Sequence, residues 1–79
     1  MRTYSRLSSE AMLLLARLIR AARIEQKITG AELAERAGIS RGLLQRIESG
    51  DMKCEIGVVF EVATLVGVPL FGEASANLP

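Results

Sequence analysis

Arg41, Gln45 and Arg46 stand within six residues of one another and carry hydrogen-bond donors on one side of a short segment. Arginine can donate two parallel bonds to guanine, and glutamine can bond adenine in the same two-point way. Gly42, between them, has no side chain and lets a backbone approach a ligand closely. This set suits the base edges and phosphates of a nucleic acid and does not suit catalysis. The chain has no histidine, no paired carboxylates in an apolar setting and no glycine-rich phosphate loop. Ser8, Ser9, Ser40 and Ser49 stand where helix caps and terminators belong, with no base to activate them. The single cysteine, Cys54, forms no disulfide within the chain and belongs to no metal-ligand cluster of ordinary spacing. No enzyme activity, cofactor or metal is expected, and Cys54 reads as a small semi-buried residue near a helix start.

The elements that must position these donors occupy residues 29–50, TGAELAERAGISRGLLQRIESG. Thr29 is an N-cap, and Glu32 three residues on completes a capping box. Leu33, Ala34 and Ala37 supply the apolar stripe of a first helix. Gly38 stands where a helix takes a left-handed residue at its end. Ile39 is an apolar plug, and Ser40 caps a second helix over Arg41 to Ser49, with Leu44 and Ile47 facing inward. Gly50 stops it. Two short helices joined by a tight turn form the helix-turn-helix motif, whose second helix enters the major groove. On spacing alone, an ordinary helical hairpin with a solvated polar face is the alternative.

Thr29, Ala31-Glu32-Leu33-Ala34, Gly38-Ile39-Ser40 and Ile47-Glu48-x-Gly50 resemble the phage-repressor (Xre) family of helix-turn-helix domains, and the resemblance spans about Leu13 to Leu70. It implies an all-α fold, a compact four-to-five-helix bundle of the lambda-repressor-like type. It implies a sequence-specific transcriptional regulator, a repressor that binds a two-fold operator in double-stranded DNA as a homodimer. Thr29, Gly30, Ser40, Arg41, Gly42, Leu43, Gln45, Arg46, Ser49 and Lys53 would then face DNA, with Ser40 and Lys53 toward phosphate. The resemblance also implies a structural ion pair between Arg23 and Glu48. The run Gly50-Asp51-Met52-Lys53-Cys54-Glu55-Ile56-Gly57 is similar to the Hip-type antitoxins encoded beside kinase-like toxins, which adds a toxin protein to the expected partners. Three positions depart from the family pattern. Gly30 stands where glutamine is usual, Gly42 has no side chain to read a base, and Leu43 replaces a polar residue near the DNA. They keep an alternative open: a protein-interaction module of the same fold with weak or lost DNA reading.

The rest of the chain is read around that motif. Seventy-nine residues make one domain over 1–79, and with only Tyr4, Phe60 and Phe71 aromatic its core must be aliphatic. Residues 1–53 carry ten basic and six acidic side chains, net +4, whereas residues 54–79 carry three acidic ones and no base. A basic stretch that holds the motif fits a phosphate-facing side. The longest apolar run, Ala11 to Ala16, is too short to span a membrane and no signal-peptide pattern precedes it, so a cytoplasmic location is expected. A first helix capped by Ser8 or Ser9 should run to about Lys27, with Leu7 as a staple and Leu15, Leu18, Ile19 and Ala22 buried. Met12, Leu13 and Leu14 make its first half apolar nearly all round, a surplus read as a dimer or partner contact. Arg17, Arg20 and Lys27 read as a solvated basic face. Residues 1–7, with Arg2 and Arg6, and residues 74–79 are expected to be flexible. A further helix should run from Glu55 or Ile56 to Val66, with Val58 or Val59, Val62, Ala63 and Val66 inward and Gly67 as its stop. Val68 to Gly72 is expected either to open a fifth helix with Pro69 at its start or to form a short edge strand across a dimer.

Overall fold

A computed structural model describes residues 3–71. They form four helices, α1 Arg6–Glu25, α2 Gly30–Ala37, α3 Arg41–Glu48 and α4 Ile56–Leu65. No strand occurs among the described residues. α3 packs against α1 and α2, and α4 closes the other side against the same two helices.

All four helices end in the same way, and that repeated ending sets the angles between them. At each C-terminus one residue takes a left-handed conformation: Lys27, Gly38, Gly50 and Gly67. The next amide then donates back to a carbonyl five residues earlier, Ile28 to Arg23 at 3.1 Å, Ile39 to Ala34 at 3.0 Å, Asp51 to Arg46 at 3.0 Å and Val68 to Ala63 at 2.9 Å. This is the Schellman closure, which normally places an apolar residue just after the turn. Ile28, Ile39 and Val68 follow that rule and pack on the core. After α3 the position is Asp51, so this one helix has a polar exit.

The core draws its fully buried side chains from every helix: Ile19 of α1, Leu33 of α2, Ile47 of α3, and Val59 and Val62 of α4. Burying each such side chain contributes about 1.5–3 kcal/mol. Gln26 ties the end of α1 to the end of α4, its Nε2 donating to the Val66 carbonyl at 2.7 Å. No buried side-chain nitrogen or oxygen among the described residues lacks a hydrogen-bond partner.

Four expectations are corrected. α1 starts at Arg6, because Ser5 rather than Ser8 or Ser9 is the N-cap, accepting from the Ser8 amide at 3.1 Å. Arg6 and Leu7 are therefore helical rather than part of a loose arm. α1 also stops at Glu25, since left-handed Lys27 cannot continue it. Leu18, expected inside, is 46% exposed, and Ala16 takes the buried place. A bulkier residue at 16 would force α1 away from the core, so the small side chain lets the helix approach. Val68 to Phe71 is neither helix nor strand. It turns so that Phe71 meets Phe60 edge to face, ring centroids 6.2 Å apart. Met1, Arg2 and residues 72–79, including the expected C-terminal tail, lie outside the described residues.

Candidate nucleic-acid interface

Each helix of the motif is started by a hydroxyl. Thr29 Oγ1 accepts from the Glu32 amide at 3.1 Å, and the Glu32 carboxylate accepts from the Thr29 amide at 3.4 Å. Ser40 Oγ accepts from the Leu43 amide at 3.0 Å. With both ends set, α3 buries Leu44 and Ile47 and leaves Arg41, Gly42, Gln45 and Arg46 exposed. A shallow hollow between the start of α2 and α3 is lined by Gly30, Arg41, Leu44 and Gln45. An added Cβ at Gly30 would meet only Leu44 Cδ2, and one at Gly42 only Ser40 Oγ, each at 3.9 Å. Packing therefore demands glycine at neither position, and both keep the backbone open at the face where α2 and α3 begin.

The orientation of α3 is held from beneath by Arg23 and Glu48. Arg23 Nε donates to Glu48 Oε2 at 2.7 Å and Nη2 to Oε1 at 3.0 Å. Nη1 donates to the Ile28 carbonyl at 2.9 Å. The two side chains are only 14% and 10% exposed. The hydrogen bonds to Glu48 push the Arg23 pKa above its ordinary value. A two-point pair of this kind fixes rotation as well as distance. It locks α3 to α1 and to the α1–α2 turn in one contact.

Arg46 is held differently. Its Nε donates to Asp51 Oδ2 at 2.9 Å, while Asp51 Oδ1 accepts from the Lys53 amide at 2.8 Å. The Lys53 amide first, and the Arg46 side chain second, hold the Asp51 carboxyl below the usual carboxylate range. Arg46, expected among the residues facing DNA, is thus turned toward the loop after α3, and the same clasp sets the course of the exposed Lys53. Ser49 Oγ donates to the Arg46 carbonyl at 2.9 Å, so its hydroxyl finishes the helix. Leu43, also expected near DNA, is half-buried against the core. Burial pushes the Cys54 thiol pKa up, away from reactive thiolate character.

One residue beside this face was read from sequence only as part of a solvated basic face. Arg20 of α1 lines a groove with Gln45 and Ser49, on the side of Gln45 away from Gly30 and Arg41. The signal was present: Arg20 lies three residues before Arg23 on the same helix, and the Arg23 contact with Glu48 carries that face to the end of α3.

A family model for helix-turn-helix domains matches residues 19–72, more than half of the chain. Searches of curated proteins and of solved structures gave no match. No helix among the described residues is long and apolar enough to cross a membrane. The matched span contains the capped helix pair, the Arg23–Glu48 clamp and the exposed donors of α3, and the chain belongs to the Xre/lambda-repressor-like helix-turn-helix family of DNA-binding transcriptional regulators.

Proposed function

We propose that the chain is a sequence-specific repressor that binds a two-fold operator as a homodimer, with α3 in the major groove. The observation that carries this reading is the exposed pair Arg41 and Gln45, set beside the N-terminus of α2 on a helix whose rotation is clamped by Arg23 and Glu48. Arg41 and Gln45 read base edges. Thr29 and Ser40 use their oxygens as caps and turn their hydroxyl protons to phosphate, and the amides at Gly30 and Gly42 approach the backbone closely. Lys53 and Arg20 flank the helix and add salt-sensitive attraction. The likeness of residues 50–57 to Hip-type antitoxins supports a role as the DNA-binding half of a toxin–antitoxin pair, with a kinase-like toxin as protein partner.

A second reading, an interaction module of the same fold, is favoured by one observation: Asp51 holds Arg46 and the core holds Leu43, which leaves a narrow reading surface. Footprinting on the chain's own upstream DNA separates the two. The repressor reading expects two protected half-sites about one helical turn apart, roughly 10 bp between centres. Absence of any protected site, with or without a co-expressed partner, would favour the interaction module.

A further inference from the structure

α1 turns one face to the core and leaves a second apolar face in solvent. Leu7, Leu14 and Leu18 are 74%, 59% and 46% exposed. Ala11 and Ala21 are exposed with them. These five residues recur in alternating steps of four and three, the spacing of a coiled-coil seam. Glu10 and Arg17 border the seam on one side, seven residues apart. The Glu10 side chain is 61% exposed, and its contact with Arg6, 3.6 Å at i,i+4, is a weak surface pair.

The seam is complementary to itself in one direction only. Two copies of α1 running antiparallel place Leu7 against the partner's Leu18 and Ala11 against the partner's Leu14, so no layer sets a small side chain on a small one. The same arrangement brings Glu10 alongside the partner's Arg17, twice about the axis. A parallel pairing would stack Ala11 on the partner's Ala11 and leave a gap. It would also set Glu10 and Arg17 beside the apolar Leu15 and Ala22. The seam residues lie outside the core that α1 shares with α3 and α4, and none of them belongs to α3.

We propose that this face is the dimer interface: two copies of the chain pack antiparallel along Leu7, Ala11, Leu14, Leu18 and Ala21, with Glu10 paired to the partner's Arg17. The proposal rests on the homodimer reading above and names its surface. The symmetry is that of an isologous two-fold contact, the commonest kind.

Sedimentation velocity of the full chain without DNA, over a concentration series, tests it. Leu14→Lys should weaken the dimer by roughly a hundredfold, because a charge enters the central layer on both sides. Glu10→Arg and Arg17→Glu should each weaken it roughly tenfold, and the double variant should restore it. Leu14, Glu10 and Arg17 are all exposed, and thermal melts report whether each variant keeps its fold. A dimer whose affinity is unchanged in Leu14→Lys and in both single charge variants would overturn the seam while leaving the homodimer reading intact. A wild-type chain that stays monomeric at every concentration, and that protects a single half-site on DNA, would overturn both.

Discussion

Arg41 and Glu48 stand at the two ends of one two-turn helix and divide its work between contact and packing. Arg41 is exposed, so Arg41→Ala should abolish selective DNA binding and leave Tm within a degree or two; a large fall in Tm would show that Arg41 is structural. Glu48→Ala should do the reverse. It leaves the Arg23 guanidinium largely buried without its carboxylate, and thermal or urea unfolding should record a loss of about 3 kcal/mol. The Arg46–Asp51–Lys53 clasp has a pH signature. Its hydrogen bonds favour the charged carboxylate, so the Asp51 pKa is lower in the folded chain than in the unfolded one. The clasp therefore contributes fully above the ordinary carboxylate value and is lost as pH falls through the depressed folded value. The Lys53 amide resonance should track that titration, with a midpoint below that of an ordinary aspartate, and Asp51→Asn should remove it. The outward set Arg41, Gly42 and Gln45 was legible from residue types and spacing alone. Arg46 was read correctly as outward, but its contact with Asp51 and the half-burial of Leu43 were not legible, because whether a surface arginine reaches out or folds back depends on the adjoining loop, and here that loop carries Asp51.

At the scale of the helix, the caps decide where each element begins and how the chain leaves it. Thr29, Ser40, Gly38, Gly50 and Gly67 were readable as starts and stops, since each is the residue type that its backbone position prefers. Ser5 and Lys27 were not. Three serines within five residues compete for one N-cap, and a lysine carries no mark of the left-handed turn that it adopts at φ 60°. That conformation strains a residue with a Cβ, so Lys27→Gly should stabilise the fold by about 1 kcal/mol in urea unfolding. Gly50 presents the opposite case. Its φ is +82°, and an added Cβ would lie 3.2 Å from Leu13 Cα and Cδ1. Gly50→Ala should cost about 2 kcal/mol and loosen the contact between the end of α3 and α1, which the same unfolding experiment would show.

At the scale of the molecule, the sequence pattern predicted an aliphatic all-helical core, and every helix supplies a fully buried residue to it. The pattern left the region after α4 open between helix and strand. The structure through Phe71 is instead an irregular turn pinned by an aromatic contact between Phe60 and Phe71, which no short-range periodicity encodes. The basic side chains gather in residues 1–53, the part that holds α1 to α3. Arg20, Arg41 and Lys53 are exposed there, and they surround the helix that would enter the groove. This surface is expected to read DNA through phosphate neutralisation and direct base contact together. Fluorescence anisotropy with the chain's own upstream duplex and an unrelated duplex, at roughly 50 and 200 mM salt, tests that most directly. Selective binding that weakens by roughly a thousandfold over that range, as neutralising about six phosphates per dimer requires, is the expected result. Equal, salt-insensitive binding to both duplexes, or none to either, would contradict it.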